Sequence, residues 1–202
     1  MRNKGCMSAG TIGIALLVIG VLVFFWGKNG YNNFVAKEQT VNTKWSNVET
    51  VYQKRANLIP NLERTVKSYS QFEQETLTKV IEARSKATSI NIDPTNMTEA
   101  DLAKFQAAQG ELSGALSRLM AVVESYPNLK ADQQYLNFQR EYTAIENSIR
   151  SETVYYNEAA QDYNTSIKTF PNNILANITN FDEKPYFKAA AGAENAPEVF
   201  TN

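Results

Sequence analysis

The sequence predicts an all-α protein: an N-terminal transmembrane helix followed by an elongated antiparallel bundle of three long helices, or four if the first breaks at Pro60. Three observations predict it. No residue from Gly5 to Gly27 carries a charge, and the stretch is long enough as a helix to cross a bilayer. Beyond it, large apolar residues recur in alternating steps of three and four, the spacing of helices packed lengthwise on one another. Alternation with a period of two is not sustained anywhere, so a sheet competes poorly.

The 202 residues divide into a short flank (1–10), a membrane-spanning helix (11–28), a helical bundle (29–176) and an irregular tail (177–202). Mean hydropathy is −0.38 although the span is strongly apolar, so the rest of the chain is markedly polar. Arg2 and Lys4 flank one end of the span and Lys28 the other, and Trp26 falls where an aromatic belt residue meets the head groups. The apolar run exceeds the core of a secretory signal and no small-residue cleavage site follows it, which favours a retained anchor. Cys6 precedes the run and so does not occupy the position of a lipoprotein acylation cysteine. Positive charge on the two sides nearly cancels and leaves the orientation undecided.

In the first stretch of the bundle the apolar seam passes through Phe34, Val41, Trp45, Val48, Tyr52, Ile59, Leu62, Val66, Tyr69 and Val80, with Glu38, Arg55, Glu73 and Thr76 as its polar members. The middle seam is Leu102, Phe105, Gln109, Leu112, Leu116, Leu119, Val123 and Tyr126. The last is Tyr135, Phe138, Tyr142, Ile145, Ile149, Glu152, Tyr156, Ala159, Tyr163, Ser166 and Phe170. Pro94 lies in a loop, and Thr98 with Asp101 resembles the cap that opens the middle helix. Pro127 and Pro171 close the middle and last helices, because the residue before a proline is driven out of the α region. Pro60 sits inside the first seam and removes a hydrogen bond to residue 56, so a kink or break is expected there. Unbroken from Tyr31 to Arg84, the first helix would instead be a stalk of about 80 Å. Gly110 and Gly114 leave one side of the middle helix nearly bare, and close approach of a neighbouring helix would compensate for their helix penalty.

Composition removes most familiar chemistry. There is no histidine and one cysteine, which excludes Ser–His–Asp and Cys–His systems, histidine-ligated zinc and cysteine clusters. Lys and Arg total 20 against 21 Asp and Glu, so no broad cationic field exists for nucleic acid. The densest polar group is Gln139, Glu141, Glu146, Asn147, Glu152 and Asn157 in the last helix, among Tyr142, Tyr155, Tyr156 and Tyr163. The Glu-x-x-His pattern of di-iron bundles is missing, as is any calcium loop. Glu141 or Glu146 could serve as a general base only beside a nucleophile, and none accompanies them. Arg55, Glu73, Gln109 and Glu152 are read as register-setting polar groups, which penalise slipped helix pairings. No catalytic, cofactor-binding or metal-ligating residue is assigned.

Several blocks resemble the LemA family of bacterial membrane proteins. They are Tyr31-Asn-Asn-Phe-Val35, Trp45, Lys54-Arg-Ala-Asn-Leu-Ile-Pro-Asn-Leu62, Glu82-Ala-Arg84, Glu111 to Leu119, Val123-Glu-Ser-Tyr-Pro-Asn-Leu-Lys130, Glu146-Asn147, the paired Tyr156-Asn157 and Tyr163-Asn164, and Phe170-Pro171. Ala56 stands where many members carry histidine and Thr153 where arginine is usual. The resemblance implies a membrane anchor, an antiparallel bundle and no enzymatic activity. It further implies a scaffold or adaptor in the bacterial cytoplasmic membrane, with the helical domain outside the cytoplasm. The expected partners are the bilayer, a second copy of the chain, or a membrane protein such as a membrane metalloprotease. A membrane-tethered ligand-binding or sensor module is the alternative, motivated by the tyrosine- and amide-rich last helix and the Gly110–Gly114 face.

Overall fold

A computed structural model of the chain describes residues 9–69 and 72–188. Cys6 with its flanking charges, and the Pro197 segment of the tail, lie outside the described residues. The elements in chain order are α1 (Ala9–Lys67), α2 (Gln74–Ser89), α3 (Glu99–Val123), α4 (Pro127–Lys130), α5 (Gln133–Lys168) and α6 (Asn172–Thr179), with no strand among the described residues. All-α architecture is what the seams predict.

The first seam departs from expectation in where it breaks. α1 is one helix of 59 residues, about 90 Å at ~1.5 Å per residue, and it runs on through Pro60. The carbonyl that Pro60 cannot engage is that of Ala56, and it accepts a hydrogen bond from Arg84 Nε at 3.0 Å. A donor from α2 thus replaces the missing backbone donor, which removes the main reason for a break. The chain turns instead just after Lys67, where Tyr69 N–H donates to the Val66 carbonyl at 3.0 Å and Phe72 N–H to the Tyr69 carbonyl at 2.9 Å. The expected stalk to Arg84 is therefore absent: α2 folds back antiparallel to α1, and the distal bundle has four long helices, divided near Tyr69 and not at Pro60.

Successive helices run up, down, up and down, α1 packing along α5 and α2 along α3. Thr98 caps α3 with a full capping box, its hydroxyl accepting from the Asp101 N–H while Asp101 accepts from the Thr98 N–H. Asp132 caps α5 by accepting from the N–H groups of Gln134 and Tyr135. The distal core gathers Ile59, Leu62, Leu77, Val80, Leu116, Leu119 and Tyr135. A second core nearer the N-terminal segment gathers Phe34, Trp45, Phe105, Tyr156 and Tyr163. Every residue from Gly10 to Trp26 is exposed, and this end of α1 is long and apolar enough to cross a membrane.

The last seam drifts by one position toward its end. Ala160 and Ile167 are buried where the spacing predicts Ala159 and Ser166, because a straight helix slips relative to a 3.5-residue repeat. Phe170 leaves the seam altogether and is 77% exposed. Of residues 177–202, read as an irregular tail, the structure describes 177–188. α6 continues to Thr179, and Phe181 to Lys188 form an extended strap packed on α1 and α5. Gly110 and Gly114 have open space where a Cβ would stand, so the expected close helix approach does not occur there.

Candidate functional site

Two polar constellations lie inside the bundle. The first centres on Arg55, which α1 carries in its apolar stripe and which is only 2% exposed. Its Nη1 donates to Ser113 Oγ at 2.7 Å and to Glu146 Oε1 at 2.9 Å. Its Nη2 donates to the Gln109 carbonyl at 3.1 Å and to Gln109 Oε1 at 2.6 Å. The guanidinium also lies 4.9 Å from the centre of the Tyr52 ring. Gln109 Nε2 passes the connection on to the Ala87 carbonyl of α2 at 3.3 Å. One side chain of α1 is thereby tied to α2, α3 and α5.

Burial raises the Tyr52 hydroxyl above its ordinary range, opposed by the Arg55 charge and reinforced by Glu146. Burial likewise raises Tyr142, with Glu146 adding to it. Both phenols therefore remain protonated in neutral water, and the charges present are those of Arg55 and Glu146. A guanidinium whose fork already holds a carboxylate, an amide and a hydroxyl sets which residues face one another; a slip by one turn would strand the charge.

Of the register-setting residues read from the sequence, Arg55 and Gln109 meet here. Glu73 does not: it is exposed at the start of α2 and accepts from Thr76 Oγ1 at 3.1 Å. Glu152 is partly buried away from the cluster. Glu146, weighed as a general base, is the carboxylate partner of Arg55, whereas Glu141 is exposed. Ser113 escapes sequence reasoning, since a lone serine flanking an apolar stripe carries no signal. No group of three or more His, Cys, Asp or Glu residues among those described is placed to hold a metal ion.

The second constellation is the heptad-spaced pair Tyr156-Asn157 and Tyr163-Asn164 on α5, and it holds the strap. Asn164 Nδ2 donates to the Lys184 carbonyl at 2.9 Å while Asn164 Oδ1 accepts from the Lys184 N–H at 2.9 Å. Asn157 repeats the pattern on Phe187, at 3.0 and 2.9 Å. Tyr156 and Tyr163 donate their hydroxyls to the carbonyls of Pro185 and Asp182 at 3.0 and 2.9 Å. Burial pushes both phenols well above their ordinary range, so they stay donors. A carboxamide offers one donor and one acceptor in a plane, which matches the N–H and C=O of one residue in an extended backbone. Lys184 completes the lock: its Nζ reaches Glu38 at 2.8 Å and the Thr95 carbonyl at 2.7 Å. Of the tyrosine and amide groups of the last helix, Tyr156, Asn157, Tyr163 and Asn164 are thus engaged by the chain's own C-terminal strap.

Fold and interior together define a single-chain helical bundle whose first helix extends into one membrane-length apolar segment. The chain belongs to the LemA family, whose profile matches residues 44–200. It is 28% identical over 190 residues to magnetosome protein MamQ 2 of Paramagnetospirillum magneticum, covering 84% of this chain and 70% of the relative. It is 26% identical over 178 residues to protein LemA of Metamycoplasma hominis, covering 88% and 78% respectively. Magnetosome protein MamQ of Magnetospirillum gryphiswaldense is 26% identical over 190 residues, with 84% and 70% covered. None of these names denotes an enzyme.

Proposed function

We propose that the protein is a membrane-anchored scaffold or adaptor that works by associating with itself or with another membrane protein. The observation that carries this reading is the continuity of α1, which passes from the apolar segment to Lys67 without a hinge residue breaking it. A span joined to a bundle through one helix holds the bundle at a set height, so its surface meets neighbours in the same membrane. The Arg55 cluster and the strap clasp support the reading from inside, since they commit the interior polar groups to rigidity. The relatives named as magnetosome proteins support a place in a larger assembly. The helical domain lies on the extracytoplasmic side, and a membrane metalloprotease is one partner to test.

Photo-crosslinking in native membranes, from positions around α3 and α5, should capture a second copy or a discrete membrane partner. A strictly monomeric protein with no crosslinked species would overturn the proposal. A small molecule that stabilises the purified chain in a thermal-shift screen would favour the ligand-binding alternative. Protease access to a C-terminal tag in spheroplasts reads the side of the membrane.

A further inference from the structure

α5 descends antiparallel to α1 and ends at Lys168, after which the chain makes α6 and then climbs again as the strap. The climb is marked by Phe181 against Phe34 at 5.4 Å between ring centres, Lys184 on Glu38, and Phe187 against Trp45 at 6.0 Å. α6 is therefore the lowest point of the loop, at the end of the bundle that faces the apolar segment. Its level is fixed at Gly30: a Cβ there would stand 2.7 Å from Leu175 Cδ2, so the Leu175 side chain lies directly against α1 at this position. Gly30 follows Trp26 by four residues, about 6 Å along the helix axis.

α6 is amphipathic in an unusual sense. Ala176 and Leu175 pack inward, while Ile174 and Ile178, four apart on α6, are 49% and 73% exposed, and Phe170, in the turn that precedes α6, is 77% exposed. Residues 169–181 contain no charged side chain; the charges at their two ends, Lys168 and Glu183, pair with each other at 2.6 Å, beside Asp182. Exposed apolar side chains directly beside the end of a membrane-length helix, in a stretch without charge, have the chemistry of a segment lying in the head-group region.

We propose that Phe170 and α6 form an interfacial foot, with Phe170, Ile174 and Ile178 inserted into the head-group and acyl boundary of the membrane that α1 crosses. The bundle then has two attachments, and the foot sets its tilt. This inference rests on the reading that residues 11–28 span the bilayer, and the test separates the two.

The full chain with Cys6→Ser is reconstituted in phosphatidylethanolamine–phosphatidylglycerol vesicles containing spin-labelled lipid. Single cysteines at Leu17, Ile178 or Asn128 carry an environment-sensitive fluorophore. Quenching at position 178 by lipid labelled near the head group should exceed that at 128 by at least about twofold. Position 17 should be quenched by lipid labelled deep in the acyl chain. Quenching at 17 with none at 178 overturns the foot and leaves the span intact, whereas no quenching at either position overturns both. A label at 178 that is shielded but unquenched, and crosslinks to another protomer, also overturns it by assigning the face to a second copy. Ile174→Asn with Ile178→Asn, probed by a label at Phe170, should abolish head-group quenching there; persistence of quenching counts against the role given to the two isoleucines.

Discussion

Pro60 persists inside α1 because Arg84 supplies the hydrogen bond that proline cannot, and this dependence is measurable. Proline in a helix interior costs about 3 kcal/mol, part of it from the stranded carbonyl four residues back. An orphaned buried carbonyl alone costs roughly 1–3 kcal/mol, and a bond from a charged donor contributes roughly 1.5–3 kcal/mol. Arg84 is partly buried and its Nε lies 3.0 Å from the Ala56 carbonyl, so the lower part of that range applies. Arg84→Met, which keeps the packing of the stem, should destabilise the bundle by about 1–2 kcal/mol. In a Pro60→Ala background the backbone N–H restored at that position takes over the carbonyl, and Arg84→Met should then cost less than about 0.5 kcal/mol. The double-mutant cycle should thus close with a coupling of about 1 kcal/mol. Urea unfolding of the detergent-solubilised chain, followed by far-UV circular dichroism, reads it: with a slope of about 2 kcal/mol/M, Arg84→Met should lower the midpoint by about 0.5–1 M in the native background. Equal shifts in both backgrounds, within about 0.3 kcal/mol, would refute the assignment of Arg84 as the substitute donor.

Arg55→Met removes the charge that joins four helices and should cost about 2–3 kcal/mol, less than a fully buried pair because Glu146 is 33% exposed. Adding Glu146→Leu should recover at least half of that loss in the same unfolding assay, and failure to recover would argue against an electrostatic origin. Asn164→Ala deletes two hydrogen bonds to the Lys184 backbone, about 2 kcal/mol of local stability, so exchange of the Lys184 amide should accelerate about thirtyfold by mass spectrometry. Unchanged exchange would mean the strap is held by its apolar contacts alone. Burial raises the Asp132 carboxyl, but hydrogen bonds from Tyr69 and the Gln134 and Tyr135 amides outweigh it and hold the group below its ordinary value. Its stabilisation is therefore full above the ordinary carboxylate pKa and lost as pH falls through the lowered one, below about 4. Amide exchange at residues 126–136 should rise in that window for the native chain, and Asp132→Ser, a cap without the charge, should flatten the dependence.

How far the molecule is legible depends on how local each signal is. The seams match the buried residues where apolar periodicity and packing coincide, from Phe34 to Val66 and from Leu102 to Val123, since a helix with one apolar side can bury it in only one way. Thr98 and Asp101 announce the start of α3 because a capping box closes within four residues. The division of the first stretch is misplaced for a complementary reason. Pro60 is a visible breaker whose defect is repaired by Arg84, far along the chain, whereas the true turn after Lys67 contains neither proline nor glycine and keeps the helical spacing through it. A rule that weighs only neighbouring residues must err at Pro60, because the outcome there is decided by a partner on another helix.

The clasp on the strap shows how such distant information can be extracted. Asn157 and Asn164 lie one heptad apart beside two tyrosines that a helical seam buries. A carboxamide in that setting must find both a donor and an acceptor, and two of them in register demand a partner that repeats both groups along its length. Among the elements of a helical protein only an extended backbone does so, since helices have already spent theirs. The paired Tyr-Asn pattern therefore encodes a nonhelical chain lying along α5, and the proline-containing segment after Asn180 is the one able to supply it. The same pairing explains why Lys184 is buried: once the strap is drawn onto α5, its ammonium can be neutralised by Glu38 and solvated by the Thr95 carbonyl. The descent and return of the chain also brings Phe170, Ile174 and Ile178 to the base of the bundle, so the clasp that orders the C-terminal strap positions these apolar side chains beside the apolar segment of α1.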